Sequence, residues 1–170
     1  MEPQEIFDLL CAPFASEEVS WRIGSTKTQD GKLRGQCLAY VDARVVMDRL
    51  DSVVGMHNWA NNYTAGVGSS IVCNIGLCLG GEWVWKADGA GASTYEPEKG
   101  TLSDAFKRAG VRWGIARYLY DMKSPWVDLK EGQKFISKED QTRLENYHME
   151  YARRMIAARG KNERSRDSAG

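Results

Sequence analysis

Residues 69–90 read SSIVCNIGLCLGGEWVWKADGA, and this stretch decides the fold because two strand patterns flank one tight turn. Large apolar residues occupy every second position of Ile71–Leu79, which is the pattern of a β-strand with one buried face. Gly80-Gly81 follows as a two-residue hairpin turn. In the returning strand, Trp83 and Trp85 share one face. The stretch therefore predicts an antiparallel β-hairpin.

The segments on both sides extend this hairpin into an α+β fold. A strand-like segment at Trp59–Ala65 precedes it, which makes an antiparallel meander of three strands. Apolar residues at helical spacing between Asp42 and Gly55 predict a helix with a capping residue at each end. The remaining predicted elements are a helix at Pro3–Leu10, a hairpin made of strands Val19–Ser25 and Gln36–Ala39, and a last helix that opens at a Ser137/Asp140 capping box.

The segment from Thr101 to Tyr120 predicts the most informative helix, and Asp104 completes a capping-box spacing at its start. It carries two apolar stripes on almost opposite sides. One consists of Leu102, Ala105, Phe106, Ala109, Trp113, Ala116 and Tyr120, and the other of Val111, Ile115, Tyr118 and Leu119. A helix that is covered on both sides needs two partners. We therefore expect one stripe to pack on the sheet and the other on another element or subunit.

Composition favours one soluble domain. The chain has 170 residues, of which 42% are hydrophobic, and this is enough to bury a core. Residues 1–159 are predicted to form a single domain and residues 160–170 a disordered tail, because the last ten residues are polar and charged. Met1–Ser20 has five acids and no base, unlike a targeting leader, and no apolar run approaches a membrane span. A soluble intracellular protein is expected.

The charge balance limits any nucleic-acid site to a local patch. Lys plus Arg number 23 and Asp plus Glu also number 23, so no overall cationic field attracts a polyanion. From Lys99 to Arg117, however, there are five bases and one acid. Arg108 and Arg112 lie one helical turn apart, and Lys107 flanks the second apolar stripe. Cations beside apolar surface suit a groove that follows phosphates.

A second basic cluster lies near the first hairpin, with Trp21 interleaved. Its members are Arg22, Lys27, Lys32 and Arg34. Lys86 adds a base on the polar face of the third meander strand. For each cluster an equally weighted alternative is a set of ordinary surface bases that pair with nearby acids.

Motif spacing argues against several enzyme classes. The four cysteines include no C-x-x-C pair, and with two histidines they make no zinc pattern. The glycine interval at Gly24–Gly31 is too long for a phosphate loop, and Gly89-x-Gly91 lacks the third glycine of a dinucleotide site. The carboxylate-x-lysine fragments at Asp121 and Asp128 follow the helix and are not expected on a strand beside a second carboxylate. No Ser-His-Asp arrangement stands out. We predict no catalytic activity, no metal and no cofactor.

Three long motifs in the right order resemble the Rad52-type single-strand annealing proteins, and most closely their short phage and bacterial relatives, the phage recombinases among them. The motifs are residues 40–59 (YVDARVVMDRLDSVVGMHNW), 85–93 (WKADGAGAS) and 99–120 (KGTLSDAFKRAGVRWGIARYLY). The resemblance implies a twisted antiparallel sheet, made of the β-hairpin and the three-stranded meander, packed on a long helix. It also implies a ring of protomers that holds single-stranded DNA in a basic groove and anneals complementary strands without ATP, in homologous recombination and DNA repair.

The resemblance also assigns DNA-binding roles by position. Lys107 and Arg108 match the basic pair of the groove-lining helix, and Lys99 matches a base at the approach to that helix. Arg22 matches an arginine of the early hairpin. Ser103 falls where a small hydroxyl residue faces the DNA backbone.

One departure from the family pattern concerns Arg112. The family's next arginine comes four residues after the lysine, where this chain has Val111, and Arg112 is one place later. As a helical neighbour of Arg108 it could still reach a phosphate, so its role stays open. The remaining candidate DNA-binding residues are Lys27, Lys32, Arg34 and Lys86.

The expected partners are single-stranded DNA and further copies of the chain, with no membrane. A single-strand-binding protein or recombinase of the host is a further partner to consider. The chain lacks the long C-terminal extension through which eukaryotic members contact such proteins, so those particular contacts are expected to be lost. The resemblance also implies a cytoplasmic location, associated with the nucleoid or in a phage-infected bacterial cell.

Two other functions fit part of the pattern. A double-stranded RNA-binding module also combines a three-stranded antiparallel sheet with helices and with lysines at a helix start. A metal-dependent nuclease is the less favoured enzyme alternative, and magnesium-dependent strand cleavage would identify it.

Overall fold

The structure, a computed structural model, describes the backbone of residues 1–91 and 97–167 and the side chains of residues 1–91 and 100–160. The chain divides into two compact units. The first contains Met1–Ala12 and Val41–Tyr118, and the second contains Pro13–Tyr40 and the chain from Leu119 onward. The single domain at residues 1–159 and the disordered tail stay predictions.

The helices and strands confirm the α+β class. Their order along the chain is α1 (Pro3–Leu10), β1 (Val19–Gln29), β2 (Lys32–Val41), α2 (Ala43–Val54), β3 (Trp59–Ala65), β4 (Ile71–Leu79), β5 (Glu82–Ala90), α3 (Pro97–Arg112), β6 (Trp126–Leu129) and α4 (Lys138–Asp167). Short 3₁₀ helices occupy Ser16–Glu18 and Arg117–Tyr120.

The predicted meander forms the sheet of the first unit, with strand order β3-β4-β5. β4 pairs with β5 along its whole length, and the ladder closes with Leu79 opposite Glu82. Gly80 and Gly81 have φ angles of 61° and 89°, the left-handed pair that a two-residue hairpin turn requires. The hairpin predicted from residues 69–90 is therefore confirmed.

One face of this sheet, here called the inner face, carries the alternating apolar positions of β4. Cys73 and Ile75 on this face have no exposed surface. α3 packs against it, with the rings of Trp59 and Phe106 tilted and their centroids 6.1 Å apart. Trp113 Nε1 donates to the backbone oxygen of Ile75 at 3.0 Å. One apolar stripe of the predicted helix thus packs on the sheet.

The extent of this helix differs from the prediction. α3 spans Pro97–Arg112, so it begins before Thr101 and does not continue to Tyr120. Gly114 has a φ angle of 93°, in the left-handed region that ends an α-helix. A Cβ atom at Gly114 would collide with Cys11 Sγ, so the packing of α1 leaves room only for glycine. The second predicted stripe is therefore not a helical face.

α2 confirms the helix predicted between Asp42 and Gly55, although the Asp42 side chain makes no capping hydrogen bond. Val46, Leu50, Val53 and Val54 on its apolar side are buried. Arg49, on the other side of α2, donates from Nη1 to the backbone oxygens of Leu9 at 3.1 Å and Ala12 at 2.7 Å. Carbonyls at the end of a helix lack intrahelical partners, so these bonds satisfy the end of α1 and tie it to α2.

The second unit contains the predicted hairpin in a sheet of its own, with strand order β1-β2-β6. Asp30 and Gly31 make the turn with positive φ angles of 51° and 73°. β6 was not predicted; it pairs antiparallel with β2 and places Arg34 opposite Asp128. Asp128 therefore lies on a strand, contrary to the expectation from sequence. The core of this unit includes Cys37, Val127, Leu129, Ile136 and Leu144.

α4 opens at the predicted capping box. The backbone nitrogen of Asp140 donates to Ser137 Oγ at 3.1 Å, and that hydroxyl donates to Asp140 Oδ2 at 2.7 Å. Farther along α4, the ring of Tyr147 lies 6.4 Å from that of Trp21 on β1. Among the described residues, no helix is long and apolar enough to cross a membrane.

Candidate nucleic-acid interface

β5 and α3 bring basic side chains together on the inner face of the first unit. The strand alternates regularly, so Lys86 and Asp88 lie opposite Ile75 and Cys73 and share their face. Because α3 covers this face, the Lys86 side chain contacts the helix. The polar side of β5 expected from sequence is therefore the side that the helix covers.

Lys86 lies against the end of α3. Its Nζ is 4.2 Å from the centroid of the Trp113 ring and donates to the backbone oxygen of Arg112 at 3.3 Å. Burial lowers the pKa of Lys86, and the Arg117 and Arg112 guanidinium groups lower it further, with the Cys11 thiol acting in the opposite direction. Neighbouring cations that lower a lysine pKa create a positive potential, which attracts an anion.

Arg108 pairs with Asp88 across the gap between helix and strand. Its Nη2 lies 3.0 Å from Asp88 Oδ1, and 53% of the Arg108 side chain is exposed against 25% of the Asp88 side chain. The same carboxylate oxygen accepts from the backbone nitrogen of Gly89 at 2.8 Å. Asp88 is therefore held by its own strand, while Arg108 keeps half of its surface open to solvent.

Lys107 pairs within α3. Its Nζ lies 3.0 Å from Asp104 Oδ1, three residues earlier on the helix. The Asp104 side chain is 56% exposed and the Lys107 side chain 26%, and an ion pair between residues three apart on a helix contributes only about 0.2–0.5 kcal/mol. A phosphate could therefore replace this carboxylate at small cost.

The guanidinium groups of Arg112 and Arg117 differ in their hydrogen-bond partners. Arg117 donates from Nε and Nη2 to the backbone oxygen of Val111 at 2.9 Å and 2.8 Å, and from Nη2 to that of Arg112 at 2.9 Å. It thereby caps the C-terminal carbonyls of α3, where a cation also complements the helix dipole. Arg112 is exposed, and within the described residues its guanidinium makes no hydrogen bond or ion pair.

Two further predicted residues lie on α3. Ser103 is half-buried, one helical turn before Lys107. Lys99 lies in the first turn of α3, and its side chain is outside the described residues.

The α3–β5 cluster thus combines more cations than carboxylates. We use this name for Lys86, Asp88, Asp104, Lys107, Arg108, Arg112 and Arg117. Five of the seven are bases and two are acids, so the cluster is electropositive although the chain as a whole is neutral. Both acids already pair with a base, whereas Arg112 and Arg117 are exposed and make no ion pair among the described residues. Of these two, Arg117 is bonded to backbone carbonyls, so Arg112 is the more available for a ligand.

The second basic cluster lies in the second unit, where three of its members have partners. Lys27 Nζ lies 4.4 Å from the centroid of the Trp126 ring. Arg34 Nε lies 3.3 Å from Asp128 Oδ1, within ion-pair range although without hydrogen-bond geometry. Lys32 Nζ is 4.0 Å from the other oxygen of Asp128. Arg22 is exposed on β1. DNA binding by these residues stays a prediction.

The sequence of this chain matches the model of a known protein family. The family model described as "Rad52/22 family double-strand break repair protein" matches residues 2–70 and 64–135. These ranges include α3, β5 and all three motifs quoted above. The chain belongs to the Rad52/22 family. The resemblance inferred from the motifs is therefore confirmed.

Two curated relatives of this Rad52/22-family chain carry the same name, "Single-stranded DNA-binding protein DdrA". The protein from Deinococcus radiodurans is 32% identical over 138 residues, which cover 79% of this chain and 64% of the relative. The protein from Deinococcus deserti is 33% identical over 138 residues, which cover 79% of this chain and 66% of the relative. The chain thus spans just under two thirds of the length of each relative.

Sequence reasoning did not assign roles to Asp88, Trp113 and Arg117. Asp88 could have been found from the alternation of β5, which places it on the same face as Lys86. Arg117 could have been found only by recognising that the helix ends at Arg112. Trp113 was assigned to an apolar stripe, and the structure adds that its ring faces the Lys86 ammonium group.

Proposed function

We propose that this Rad52/22-family chain binds single-stranded DNA and anneals complementary strands without ATP, in homologous recombination and DNA repair. The observation that carries the proposal is the α3–β5 cluster, in which Lys107 and Arg108 are adjacent on α3 and Arg108 pairs with Asp88, two residues after Lys86 on β5. The printed name of the two relatives supports the same class of ligand.

Phosphate binding at this cluster is an exchange of ion pairs. A phosphate that approaches α3 competes with Asp104 for Lys107 and with Asp88 for Arg108, and meets Arg112 without such competition. Each phosphate that is neutralised releases condensed counterions, so the affinity falls as salt rises. Two strands whose phosphates are neutralised also repel each other less, which favours annealing.

Annealing makes and breaks no covalent bond, so it requires no catalytic residue. If the cluster holds phosphates and leaves the base edges outward, complementary strands can test their pairing without readout by the protein. Sequence specificity then resides in base pairing. In this proposal the chain is not an enzyme.

The proposal includes assembly into a ring. Repeated copies of the cluster would bind one strand at many weak sites, which raises the overall affinity through multivalency. A host single-strand-binding protein or recombinase stays a predicted partner, to be tested by mixing the purified proteins. Cytoplasmic location, at the nucleoid or in an infected cell, stays predicted as well.

The decisive experiment compares two double variants in which adjacent bases are removed from different helices. Lys107→Ala/Arg108→Ala removes the pair on α3, and Arg153→Ala/Arg154→Ala removes an equally charged pair on α4. We expect the α3 variant to bind a labelled oligothymidylate more weakly, with a shallower salt dependence, and to anneal complementary oligonucleotides more slowly without ATP. The α4 variant should behave like the wild-type protein.

Three results would contradict the proposal. If both double variants have the same affinity for the oligonucleotide and the same salt dependence, Lys107 and Arg108 do not bind DNA. Preferential binding of duplex RNA in competition would favour the RNA-binding module. Strand cleavage that requires magnesium would favour the nuclease. Electron microscopy with and without the oligonucleotide tests the ring.

A further inference from the structure

The side of the β3-β4-β5 sheet that faces away from α3, here called the outer face, exposes two tryptophans. Trp83 and Trp85 lie on it because Lys86 and Asp88, which alternate with them on β5, face the helix. Each of the two tryptophans is 46% exposed. Buried tryptophan contributes strongly to folding, so an exposed adjacent pair calls for another explanation.

Trp85 lies flat on the sheet. It is opposite Gly76 of β4, and a Cβ atom at Gly76 would lie 2.7 Å from two carbons of the indole and 2.8 Å from a third. Nearly equal distances to three adjacent ring atoms mean that the ring face, not its edge, covers the glycine. The other face of the same ring is therefore turned outward. Any larger residue at position 76 would lift the ring from the strand.

Trp83 continues this aromatic surface. Its ring centroid is 5.9 Å from that of Trp85, and the two ring planes differ by only 25°. The two indoles thus form a stacked pair with similarly oriented π-faces on the outer face of β5. Stacking on such faces accepts any base, because every nucleobase has a π-face.

The described part of the outer face around the pair is uncharged, and it includes two asparagines. Across the outer face, Asn74 Nδ2 donates to Asn62 Oδ1 at 2.9 Å, and each amide keeps groups that could bond the edge of a base. Among the described residues of β3, β4 and β5, no charged side chain lies on this face. A ligand held here is therefore recognised by its aromatic rings and not by its phosphates.

We propose that Trp83 and Trp85 form a stacking platform for the bases of single-stranded DNA, on the side of the sheet opposite the α3–β5 cluster. The inference rests on the proposed function, because it takes single-stranded DNA as the ligand. It adds a second surface with different chemistry: the cluster binds phosphates, and the platform binds bases. The stacking contribution of the platform to the binding free energy should therefore change little with salt, unlike the contribution of α3.

The test uses paired substitutions that separate stacking from apolar area. Trp83→Leu/Trp85→Leu keeps apolar side chains but removes the π-faces, whereas Trp83→Phe/Trp85→Phe keeps aromatic rings. We expect the leucine variant to bind oligothymidylate about tenfold more weakly, with the same fold loss at low and high salt, and the phenylalanine variant to stay within about twofold of wild type. Unchanged thermal unfolding confirms that each variant is folded.

A second measurement needs no substitution. Wild-type protein should bind oligothymidylate about tenfold more tightly than an abasic oligonucleotide of equal length, which has the phosphates without the bases. The leucine variant should lose most of this preference. Equal binding of the two oligonucleotides by wild type, or an unchanged preference in the leucine variant, would overturn the platform.

Other outcomes separate the inference from its premise. If the leucine variant changes the oligomeric mass but binds each oligonucleotide like wild type, the outer face is a contact with a second copy and the inference is wrong. If wild-type protein binds neither oligonucleotide at low salt, the proposed function itself fails. If wild type binds DNA and only the α3 variant loses affinity, the proposed function holds and the platform does not exist.

Discussion

Arg108 and Asp88 meet through a single carboxylate oxygen. Asp88 Oδ1 accepts from Arg108 Nε at 3.2 Å and from Nη2 at 3.0 Å, and it also accepts from the Gly89 backbone nitrogen. One edge of the guanidinium group is therefore occupied by a carboxylate that the strand itself positions. A DNA phosphate that binds Arg108 must either use the remaining Nη1 edge or displace Asp88.

Asp88→Asn should strengthen the binding of single-stranded DNA. The substitution keeps an oxygen that can accept from Arg108, but it removes the negative charge that competes with a phosphate. The Arg108 side chain is 53% exposed and that of Asp88 25%, and an ion pair open to solvent on one side is worth about 0.2–1 kcal/mol, so we expect affinity to rise about twofold to fivefold, with a steeper salt dependence. Fluorescence anisotropy of a labelled oligonucleotide at several salt concentrations measures both.

Glu150→Gln is the matched control for this prediction. Glu150 pairs with Arg154 at 3.3 Å on α4, so the control removes one carboxylate from an ion pair outside the α3–β5 cluster, although the Glu150 side chain is 66% exposed and that of Asp88 only 25%. A similar gain in affinity for the control would mean that net charge alone is responsible. A loss of affinity for Asp88→Asn would mean that the carboxylate positions Arg108 for DNA.

Arg112→Ala and Arg117→Ala should separate DNA binding from helix capping. Arg112 is exposed, so its loss should lower affinity by about fivefold and reduce the salt slope by about one, with little change in stability. Arg117 caps two carbonyls of α3, so its loss should lower the free energy of unfolding by about 1–2 kcal/mol. Chemical denaturation and a salt titration, run on both variants, give the four values. Swapped effects would contradict these assignments.

Local signals predicted most of the fold of the first unit. The alternation of β4, the Gly80-Gly81 turn and the helix between Asp42 and Gly55 are each encoded within a few residues, and the structure has all three. The end of α3 was missed because Cys11, from a distant part of the chain, restricts position 114. β6 was missed because four residues carry too little periodicity to indicate a strand.

The candidate site was also predicted only in part, because local sequence signals show some of its residues and long-range packing determines the others. The density of bases along one helix is visible in the sequence, so Lys107, Arg108 and Arg112 could be named as candidates, and their binding to DNA stays a prediction. Their carboxylate partners were not all found, because the Asp88–Arg108 pair joins positions 20 residues apart. Such a pair depends on the packing of helix against strand, which periodicity does not specify.

Gly114→Ala should lower the free energy of unfolding by about 3 kcal/mol. Position 114 has a φ angle of 93°, and the new Cβ atom would collide with Cys11 Sγ. The cost of backbone strain and the cost of overpacking therefore both lower the free energy of unfolding. Gly80→Ala is the control, since φ there is also positive, at 61°, but a Cβ atom would meet nothing within 4 Å. It should cost only about 1 kcal/mol.

A rescue experiment isolates the collision at position 114. Cys11→Ala removes the sulfur atom, so the double variant Gly114→Ala/Cys11→Ala should be more stable than the sum of the two single effects predicts. Strict additivity in denaturant unfolding, or equal effects of Gly80→Ala and Gly114→Ala, would show that the thiol does not restrict this turn.

The second unit should become less stable as pH falls, through His148. This side chain has no exposed surface, and its Nδ1 lies 3.0 Å from the Ser16 hydroxyl. That hydroxyl donates to the backbone oxygen of Glu145 at 3.3 Å, so Nδ1 acts as the donor to it. Burial lowers the pKa of His148 below its ordinary value of 6.5, and Glu17 opposes this only in part.

The sign of the pH effect follows from proton linkage. Because the native pKa is the lower one, the unfolded chain takes up the proton first as pH falls through 6.5. The contribution of His148 to the free energy of unfolding is therefore complete above that pH. Below it the free energy of unfolding falls by at most about 1.4 kcal/mol per pH unit. Denaturant unfolding between pH 7.5 and about pH 5, above the range where most carboxylates titrate, should show this loss for wild type. In His148→Asn, which keeps a donor for Ser16, the slope should be smaller; an equal slope in both proteins would assign the pH dependence to other groups.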